Sequence, residues 1–289
     1  MLKSLKVEKN MGNRKYWILG VLWLGMLMVI SWEVRAQEKN YTETVNGVTF
    51  EMVYVEGGIF MMGALENEGK GDLYSAQPAH QVKLSDYYIG KYEVTQGLWK
   101  AVMGNNPSVY QRGDNYPVDR VSWEDAREFC DKLSRLTGRK YALPTEAQWE
   151  YAARGGVESE GYVYSGSNVI SDVSWCGNLN SGTYPVGSKQ PNELGIYDMS
   201  GNVREWCRDW YGAYPAADSV VYTYCSNLGI FCASNLQTDP TGPVTGTERV
   251  IRGGCWFDGA ARCCSVSFRY AFVPDMRSDV HGFRVVRVP

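Results

Sequence analysis

Three cysteines near the C-terminus have types and spacing that could support thiol chemistry. Cys255 directly follows the pair Gly253-Gly254, and Cys263 and Cys264 stand side by side a short loop later. Thiolates form disulfides and bind soft metal ions such as Cu(I). Free cysteines are also among the most frequently buried residues. The three residues could therefore form a redox site, or they could be core or disulfide cysteines.

A second candidate site is acidic. Asp198 and Glu205 bracket a turn that contains Gly201, and the carbonyl oxygens of such a turn can point inward. Ca²⁺ prefers a cage of carboxylate and carbonyl oxygens. The segment predicts a calcium site, and the alternative is a solvated loop whose acids only cap turns.

Composition excludes several other kinds of site. His80 and His281 are the only histidines, too few for a zinc or non-haem iron centre that needs several imidazoles, or for a credible Ser-His-Asp triad. The formal net charge is -3, which provides no basic surface for a phosphate backbone. We therefore expect no nucleic-acid partner.

The first residues are typical of an export signal. Lys3, Lys6 and Lys9 precede an apolar run over residues 16–32, and Val34-Arg35-Ala36 offers small residues where a signal peptidase cleaves. We expect a signal peptide over residues 1–36, cleavage after Ala36, and a periplasmic, secreted or cell-surface protein that meets the membrane only through this segment. The alternative is an uncleaved membrane anchor.

Export would place all the cysteines in a compartment where disulfides persist. Eight cysteines do not determine a pairing. Cys225 and Cys232 lie close enough in sequence for a local disulfide, and two free buried thiols are the alternative.

Capping signals predict three helices that would position these residues. Each begins after a capping residue, Thr95, Ser122 or Thr145, and ends before a glycine. Residues 50–55 and 59–62 flank Gly57-Gly58, a pattern that predicts a hairpin. We expect a linker over 37–47 and one domain over 48–289.

Beyond residue 156 no periodic stretch is longer than a few residues, and glycine, asparagine, serine and aromatic residues dominate. Loops must therefore carry most of the fold there, and bound ions or disulfides become natural stabilising elements. The polar, tyrosine-rich stretch 213–237 has the character of a loop insertion.

Several segments closely resemble signatures of the formylglycine-generating (sulfatase-modifying factor) family. They occur in the family's order from about residue 48 to the C-terminus, and the longest are 142–156 (ALPTEAQWEYAARGG), 192–206 (NELGIYDMSGNVREW), 249–254 (RVIRGG) and 281–284 (HGFR). The resemblance implies an α+β fold related to the C-type lectin fold, with little regular secondary structure and with bound calcium. Its calcium ligands would be the side chains of Asp198 and Glu205 and the carbonyls of Gly201 and Val203.

The active-site segment departs from the family's pattern. The family's oxidases place one cysteine four residues after Gly-Gly and a second five residues further on, and this pair binds copper, activates oxygen and engages a cysteine of the sulfatase. Counted from Gly254, these positions hold Asp258 and Cys263; counted back from Arg269, the second cysteine is Cys264. The first cysteine is missing in both registers, and a carboxylate cannot replace a thiolate in a disulfide or in holding Cu(I).

Three interpretations of this segment stay open. The cysteines could be structural, or Cys255 could replace the lost partner in a displaced redox or copper site. In the third, the segment binds a ligand, since members of the family also serve as the variable, displayed proteins of diversity-generating retroelements. The candidate ligand contacts are Trp256, Phe257, Asp258, Phe268 and Tyr270.

The sequence therefore predicts an exported, calcium-stabilised domain of this family that binds a protein or a glycan. One alternative is an oxidase that uses copper and oxygen to convert a cysteine of a sulfatase to formylglycine. A second is a variable ligand-binding protein of a retroelement, and a third is a structural part of a cell-surface machine. Whether the chain is an enzyme stays open, because Asp258 stands where the family's oxidases have their first catalytic cysteine.

Overall fold

A computed structural model describes residues 39–65, 74–177, 181–215, 221–225, 230–234 and 236–287, with the backbone alone for 221–225 and 230–234. The chain divides into the units Met1–Asn40 and Tyr41–Pro289, and the second is described below. The predicted signal peptide lies outside the described residues. Within the described ranges, no helix is both long and apolar enough to cross a membrane.

The three predicted helices are confirmed, with their caps. They are α1 (Gln96–Met103), α2 (Trp123–Thr137) and α3 (Glu146–Ala153), and a short α4 (Ile170–Val173) follows. Ser122 and Thr145 each form a capping box, and α1 and α2 end at glycines in the left-handed conformation. Local sequence thus fixes the helix ends independently of tertiary packing.

Most strands belong to three sheets. A five-stranded antiparallel sheet has the order β1 (Tyr41–Val45), β2 (Val48–Val55), β5 (Tyr87–Gly90), β14 (Val286–Arg287), β6 (Tyr141–Ala142). A three-stranded sheet has the order β10 (Gln237–Thr238), β4 (His80–Lys83), β3 (Ile59–Met62). A four-stranded sheet has the order β12 (Arg269–Phe272), β11 (Arg249–Arg252), β7 (Arg204–Trp210), β13 (His281–Gly282).

Two buried clusters form the core between these elements. One gathers side chains of α1 and α2 with Trp206 and Phe283. The other surrounds α3 and includes Trp149, Tyr87 and Val250. The strands are short and most connections are irregular, so the predicted α+β class with little regular secondary structure is confirmed.

The predicted linker is wrong over residues 41–45, which form β1 and pair with β2. Asn46 and Gly47 make the turn between these strands with φ of 48° and 82°. Asn-Gly is the sequence that favours such a two-residue hairpin. The folded domain therefore begins about seven residues before the predicted boundary at 48.

The predicted hairpin around Gly57-Gly58 is also wrong. β2 pairs with β1 and β5, whereas β3 pairs with β4 in a different sheet. Gly57 is needed for a close approach of two backbones, because a Cβ there would lie 2.3 Å from the carbonyl oxygen of Leu84. The glycines connect two sheets rather than two paired strands.

The predicted insertion 213–237 contains a hairpin formed by β8 (Val221–Cys225) and β9 (Ile230–Ser234). The register pairs Cys225 with Ile230 and Cys232 with Thr223. The two cysteines are not directly opposite each other, and their local disulfide stays a prediction because their side chains lie outside the described part of the structure.

Candidate functional site

The loop after the Gly-Gly pair folds back onto that pair. Gly253 and Gly254 both have positive φ, of 91° and 68°. A Cβ on Gly254 would lie 2.5 Å from the carbonyl oxygen of Cys263 and 2.6 Å from the sulfur of Cys264. Only glycine allows this contact, so the sequence Gly-Gly positions the two cysteines of the 3₁₀ turn Ala261–Cys264.

Asp258 is held at the base of this loop. Its carboxylate forms an ion pair with Arg204 at 2.5 Å, and it accepts hydrogen bonds from the backbone N–H of Cys255 at 2.9 Å and from the Tyr270 hydroxyl at 3.3 Å. The residue is 8% exposed. Where the family's oxidases carry their first cysteine, this chain carries a carboxylate that clamps the loop to β7 and β12.

Cys255, Cys263 and Cys264 differ in exposure. Cys255 and Cys264 are fully buried, and Cys263 is half-buried. Burial raises the pKa of the Cys255 thiol to about 12, so it stays protonated at neutral pH. Cys255 packs beside Trp256 and Val280, which supports its interpretation as a core cysteine and not as a reactive partner.

Cys176 is a member of this site that sequence reasoning missed. Its thiol donates a hydrogen bond to the backbone carbonyl of Asp258 at 3.2 Å, and the thiol of Cys264 donates one to its sulfur. The bond from Cys264 lowers the pKa of Cys176. No local pattern marks Cys176, because it follows a short helix far from the family's cysteine positions.

The five predicted ligand contacts divide by exposure. Trp256 is 4% exposed and Asp258 is also buried, so both face the interior in this structure. Phe268 and Tyr270 are half-buried, with ring centroids 4.7 Å apart. Phe257 is 53% exposed and is the one of the five that presents most of its side chain to solvent.

The predicted calcium ligand Glu205 is fully buried in β7. Arg284 donates to both of its oxygens, from Nε to Oε2 and from Nη2 to Oε1, each at 2.6 Å. The indole Nε1–H of Trp149 donates to Oε2 at 2.8 Å. The planar guanidinium of Arg284 thus occupies both carboxylate oxygens of Glu205, which would otherwise be able to bind a metal cation.

The predicted ligand Asp198 lies near the same guanidinium. Burial raises its pKa to about 6, and its carboxylate accepts a hydrogen bond from the backbone N–H of Gly187 at 2.7 Å. Glu93 completes this acidic group, and burial followed by repulsion from Asp198 raises its pKa well above the usual range. Its carboxylate accepts from the backbone N–H of Val203 at 3.0 Å.

These contacts do not fit the predicted calcium ligand set. Arg284 supplies the positive charge at Glu205, and the carboxylate is fully engaged by charge-assisted hydrogen bonds. Gly201 directs its own N–H to the carbonyl of Gly253 at 2.7 Å, which ties the turn to the Gly-Gly pair. Among the described residues, no three His, Cys, Asp or Glu side chains are gathered in a way that could hold a metal ion. Calcium stays a prediction.

The predicted copper site fits no better. It requires a pair of thiolates at the family's two positions, and Asp258 holds the first of them in an ion pair with Arg204. Cys255 is fully buried beside Trp256 and Val280, a position typical of a core cysteine, and copper stays a prediction.

Comparison with known proteins decides the family. A model of the sulfatase-modifying factor enzyme 1-like domain matches residues 37–289. The chain belongs to this sulfatase-modifying factor family. Among curated relatives, "Chaperone protein LppX" of Paenibacillus barcinonensis is 38% identical over 83% of this chain and 90% of its own length. The formylglycine-generating enzyme of Thermomonospora curvata is 34% identical over 68% of this chain and 63% of the enzyme.

Solved structures confirm the fold expected of the sulfatase-modifying factor family. Treponema denticola variable protein 1 superposes with a TM-score of 0.73 and 32% identity, covering 86% of this chain and 99% of that protein. PvdO from Pseudomonas aeruginosa gives a TM-score of 0.64 and 26% identity over 86% of this chain and 100% of that protein. The formylglycine-generating, C-type-lectin-related α+β fold is therefore the fold of this chain.

Proposed function

We propose that this member of the sulfatase-modifying factor family is a binding module and not a formylglycine-generating oxidase. The observation that carries the proposal is the position of Asp258. An oxidase of this family needs a thiol there, and this chain has a buried carboxylate in an ion pair with Arg204. The site therefore keeps the framework of the family without the first of its two reacting groups.

The segment that follows Gly254 presents a surface with the composition of a recognition site. Three of the exposed large apolar side chains, Phe257, Val273 and Met276, come from the segment that follows Gly254. In the same segment, Asp258 and Tyr270 hold the backbone through their contacts with each other and with Arg204. Exposed apolar groups on a rigid base are typical of protein-binding surfaces.

We propose a polypeptide as the ligand of this surface. Apolar exposed side chains favour it, and one relative carries the name of a chaperone protein. Similarity to a variable protein also supports a binding role for the segment 256–284, and the retroelement interpretation is a finer form of the same proposal. A glycan, which could stack on Phe257, is the competing ligand class.

The binding test uses the full mature protein on paired peptide and glycan arrays. We expect peptide binding that the substitution Phe257→Ser reduces by about tenfold or more, as for an exposed aromatic anchor. Val169→Ser is the matched control, since Val169 is 54% exposed and Phe257 is 53% exposed. Equal loss in both variants would contradict a site at Phe257, and binding confined to glycans would replace the ligand class.

The oxidase alternative has its own assay. The copper-loaded protein is incubated under oxygen with a peptide that bears Cys-x-Pro-x-Arg, and aldehyde is sought by mass spectrometry. We expect no product. Aldehyde that disappears in the double variant Cys263→Ala, Cys264→Ala would establish the oxidase and overturn the proposal.

Export is part of the proposal, because a displayed binding surface must leave the cytoplasm. The apolar run and Val34-Arg35-Ala36 support it. N-terminal sequencing of the mature protein should begin at Gln37.

A further inference from the structure

We propose that Cys176 and Cys264 are a redox-active pair that forms an intramolecular disulfide, joining the loop after α4 to the loop after the Gly-Gly pair. The Cys176 sulfur lies 3.2 Å from the carbonyl oxygen of Asp258, and the Cys264 sulfur packs against Gly254, so both thiols lie at the short loop that the contact of Asp258 with Cys255 closes. They come from segments far apart in the sequence, so the bond would tie two otherwise separate parts of the site.

Cys176 is held in place by its neighbours. The carbonyl of the preceding residue, Trp175, accepts from the backbone N–H of Asn202 at 3.0 Å, and the Trp175 ring stacks on Tyr184 with centroids 3.8 Å apart. The Cys176 thiol itself donates to the carbonyl of Asp258. The backbone carrying Cys176 is therefore anchored against the same loop that carries Cys264.

Cys264 is fixed from the other side. It is fully buried at the end of a 3₁₀ turn, and the sulfur occupies the space that a side chain on Gly254 would fill. A disulfide requires the two Cβ atoms to lie about 4 Å apart, and this is the geometry that the proposal predicts for the oxidised pair.

The two sulfurs also differ in the way that an exchange reaction requires. Cys176 is half-buried and reachable, and the hydrogen bond from Cys264 lowers its pKa, which favours the attacking thiolate. Cys264 is buried and its pKa is raised by that same hydrogen bond and by burial. Because Cys176 is the more exposed of the two, it is the first nucleophile, and the buried Cys264 is the resolving thiol.

The oxidant is a disulfide of a small molecule or of another protein. The Cys176 thiolate attacks one of its sulfurs, which forms a mixed disulfide and releases one thiolate. Cys264 loses its proton and attacks the Cys176 sulfur, which closes the intramolecular bond and releases the second thiolate. Two protein thiols are oxidised, one disulfide is reduced to two thiols, and the two protons pass to the leaving thiolates.

Two nearby cysteines could compete with this pairing. Cys263 is half-buried beside Cys264, and its thiol is hydrogen-bonded to the Tyr270 hydroxyl. Cys255 is fully buried, and burial raises its pKa to about 12, which leaves it protonated. Neither has the anchored contact to Cys176 that Cys264 has.

The test oxidises the full mature protein with oxidised glutathione, alkylates free thiols in denaturant so that buried thiols are also labelled, and digests the protein without reduction. We expect loss of the label at both Cys176 and Cys264 and a cross-linked peptide pair that contains them. Reduction should split the pair and lower the midpoint of thermal unfolding, because the bond restrains the unfolded chain.

Three variants decide the assignment. Cys176→Ser and Cys264→Ala should each abolish the cross-link, and the matched control Cys263→Ser should keep it. Should Cys264→Ala fail to fold, the half-buried Cys176→Ser still tests the pairing. A link from Cys176 to Cys263 or Cys255, or continued labelling of both thiols after oxidation, overturns the proposal.

Discussion

The centre of the domain and the loop after Gly254 are held together in different ways. In the centre, buried arginines meet buried carboxylates supplied by the segments that resemble the family: Arg284 with Glu205, Arg252 with Glu150, and Arg269 with Glu146. The loop depends on the ion pair of Arg204 with Asp258, and Asp258 stands where the family's pattern has a cysteine. The recognisable motifs therefore mainly build the scaffold, and recognising them predicts the fold better than the chemistry.

The scaffold reaches the loop through Arg252. This fully buried side chain pairs with Glu150 and also donates to the backbone carbonyls of Ser267 at 2.7 Å and Val266 at 3.0 Å. The end of the loop 255–267 is therefore fixed by the centre, while its beginning is fixed by Asp258. A segment clamped at both ends can change its exposed residues without loss of the fold.

The largest effect is expected from breaking the centre. Arg284→Met leaves the carboxylate of Glu205 buried without its cation, which should cost about 3–5 kcal/mol of unfolding free energy. Urea unfolding of the variant and of the unmodified protein measures this. The matched control is Arg277→Met, whose half-exposed pair with Asp125 should contribute no more than about 1 kcal/mol.

The same measurement with and without a chelator separates the guanidinium from the predicted calcium. If Arg284 is the cation of this cluster, chelation leaves the unfolding midpoint of the unmodified protein unchanged. A midpoint that falls on chelation and recovers with Ca²⁺ would contradict this assignment and restore calcium as a stabilising ligand. Similar losses for Arg284→Met and Arg277→Met would remove the contrast between centre and surface.

A smaller effect, which depends on pH, is expected at Asp209. Its carboxylate accepts from the backbone N–H of Glu146 at 3.0 Å, and burial raises its pKa to about 7. The folded state thus binds a proton that the unfolded state releases near its ordinary pKa of about 3.9. Stability therefore falls as pH rises from about 4 to about 7, and the loss is complete above the folded pKa.

Asp209→Asn removes this titration and keeps an acceptor for Glu146. Relative to the unmodified protein, the variant should gain roughly 2–4 kcal/mol between pH of about 4 and pH of about 7.5. Burial also raises the pKa values of Asp119 and Asp198, but both proteins share these groups, so the difference between the two curves isolates Asp209. Parallel stability curves would show that Asp209 is ionised in the fold at low cost.

Local signals predicted the parts of the fold that depend on neighbouring residues. The capping residues Ser122 and Thr145 and the glycine after α2 gave the helix ends, because a cap is satisfied within one turn of chain. Asn46-Gly47 is also a local turn signal, but the strand before it is polar at alternate positions and so resembles a linker. Gly57-Gly58 predicted a hairpin that does not form. A glycine that is needed because two backbones approach closely cannot be distinguished in the sequence from a glycine in a hairpin turn.

The candidate site was less predictable because its contacts join distant segments. No sequence pattern near Cys176 relates it to Cys264. Likewise, no pattern near Glu205 predicts that Arg284 will bind its carboxylate. The solvent exposure of individual side chains could not be predicted from the sequence either. The motif order placed the candidate ligand contacts in the segment 256–284, but only packing determines that Trp256 and Asp258 face inward while Phe257 faces solvent.

The smallest effect on overall stability is expected from breaking the loop. Asp258→Asn keeps an acceptor for the N–H of Cys255 and removes the charge that pairs with Arg204. This mostly buried pair has side-chain exposures of 13% and 9%, and losing its charge-assisted hydrogen bond should cost about 1–2 kcal/mol. The centre should be unaffected, because Arg252 and Arg284 make their ion pairs away from this loop.

Hydrogen exchange followed by peptide mass analysis can measure the loop and the centre in one experiment. Amides of residues 255–264 should exchange faster in the variant, because a segment that has lost its anchor opens locally. Amides of β7 and α3 should keep their protection. Faster exchange in all of these segments would mean that Asp258 belongs to the cooperative core, and unchanged exchange at 255–264 would mean that the ion pair does not hold the loop.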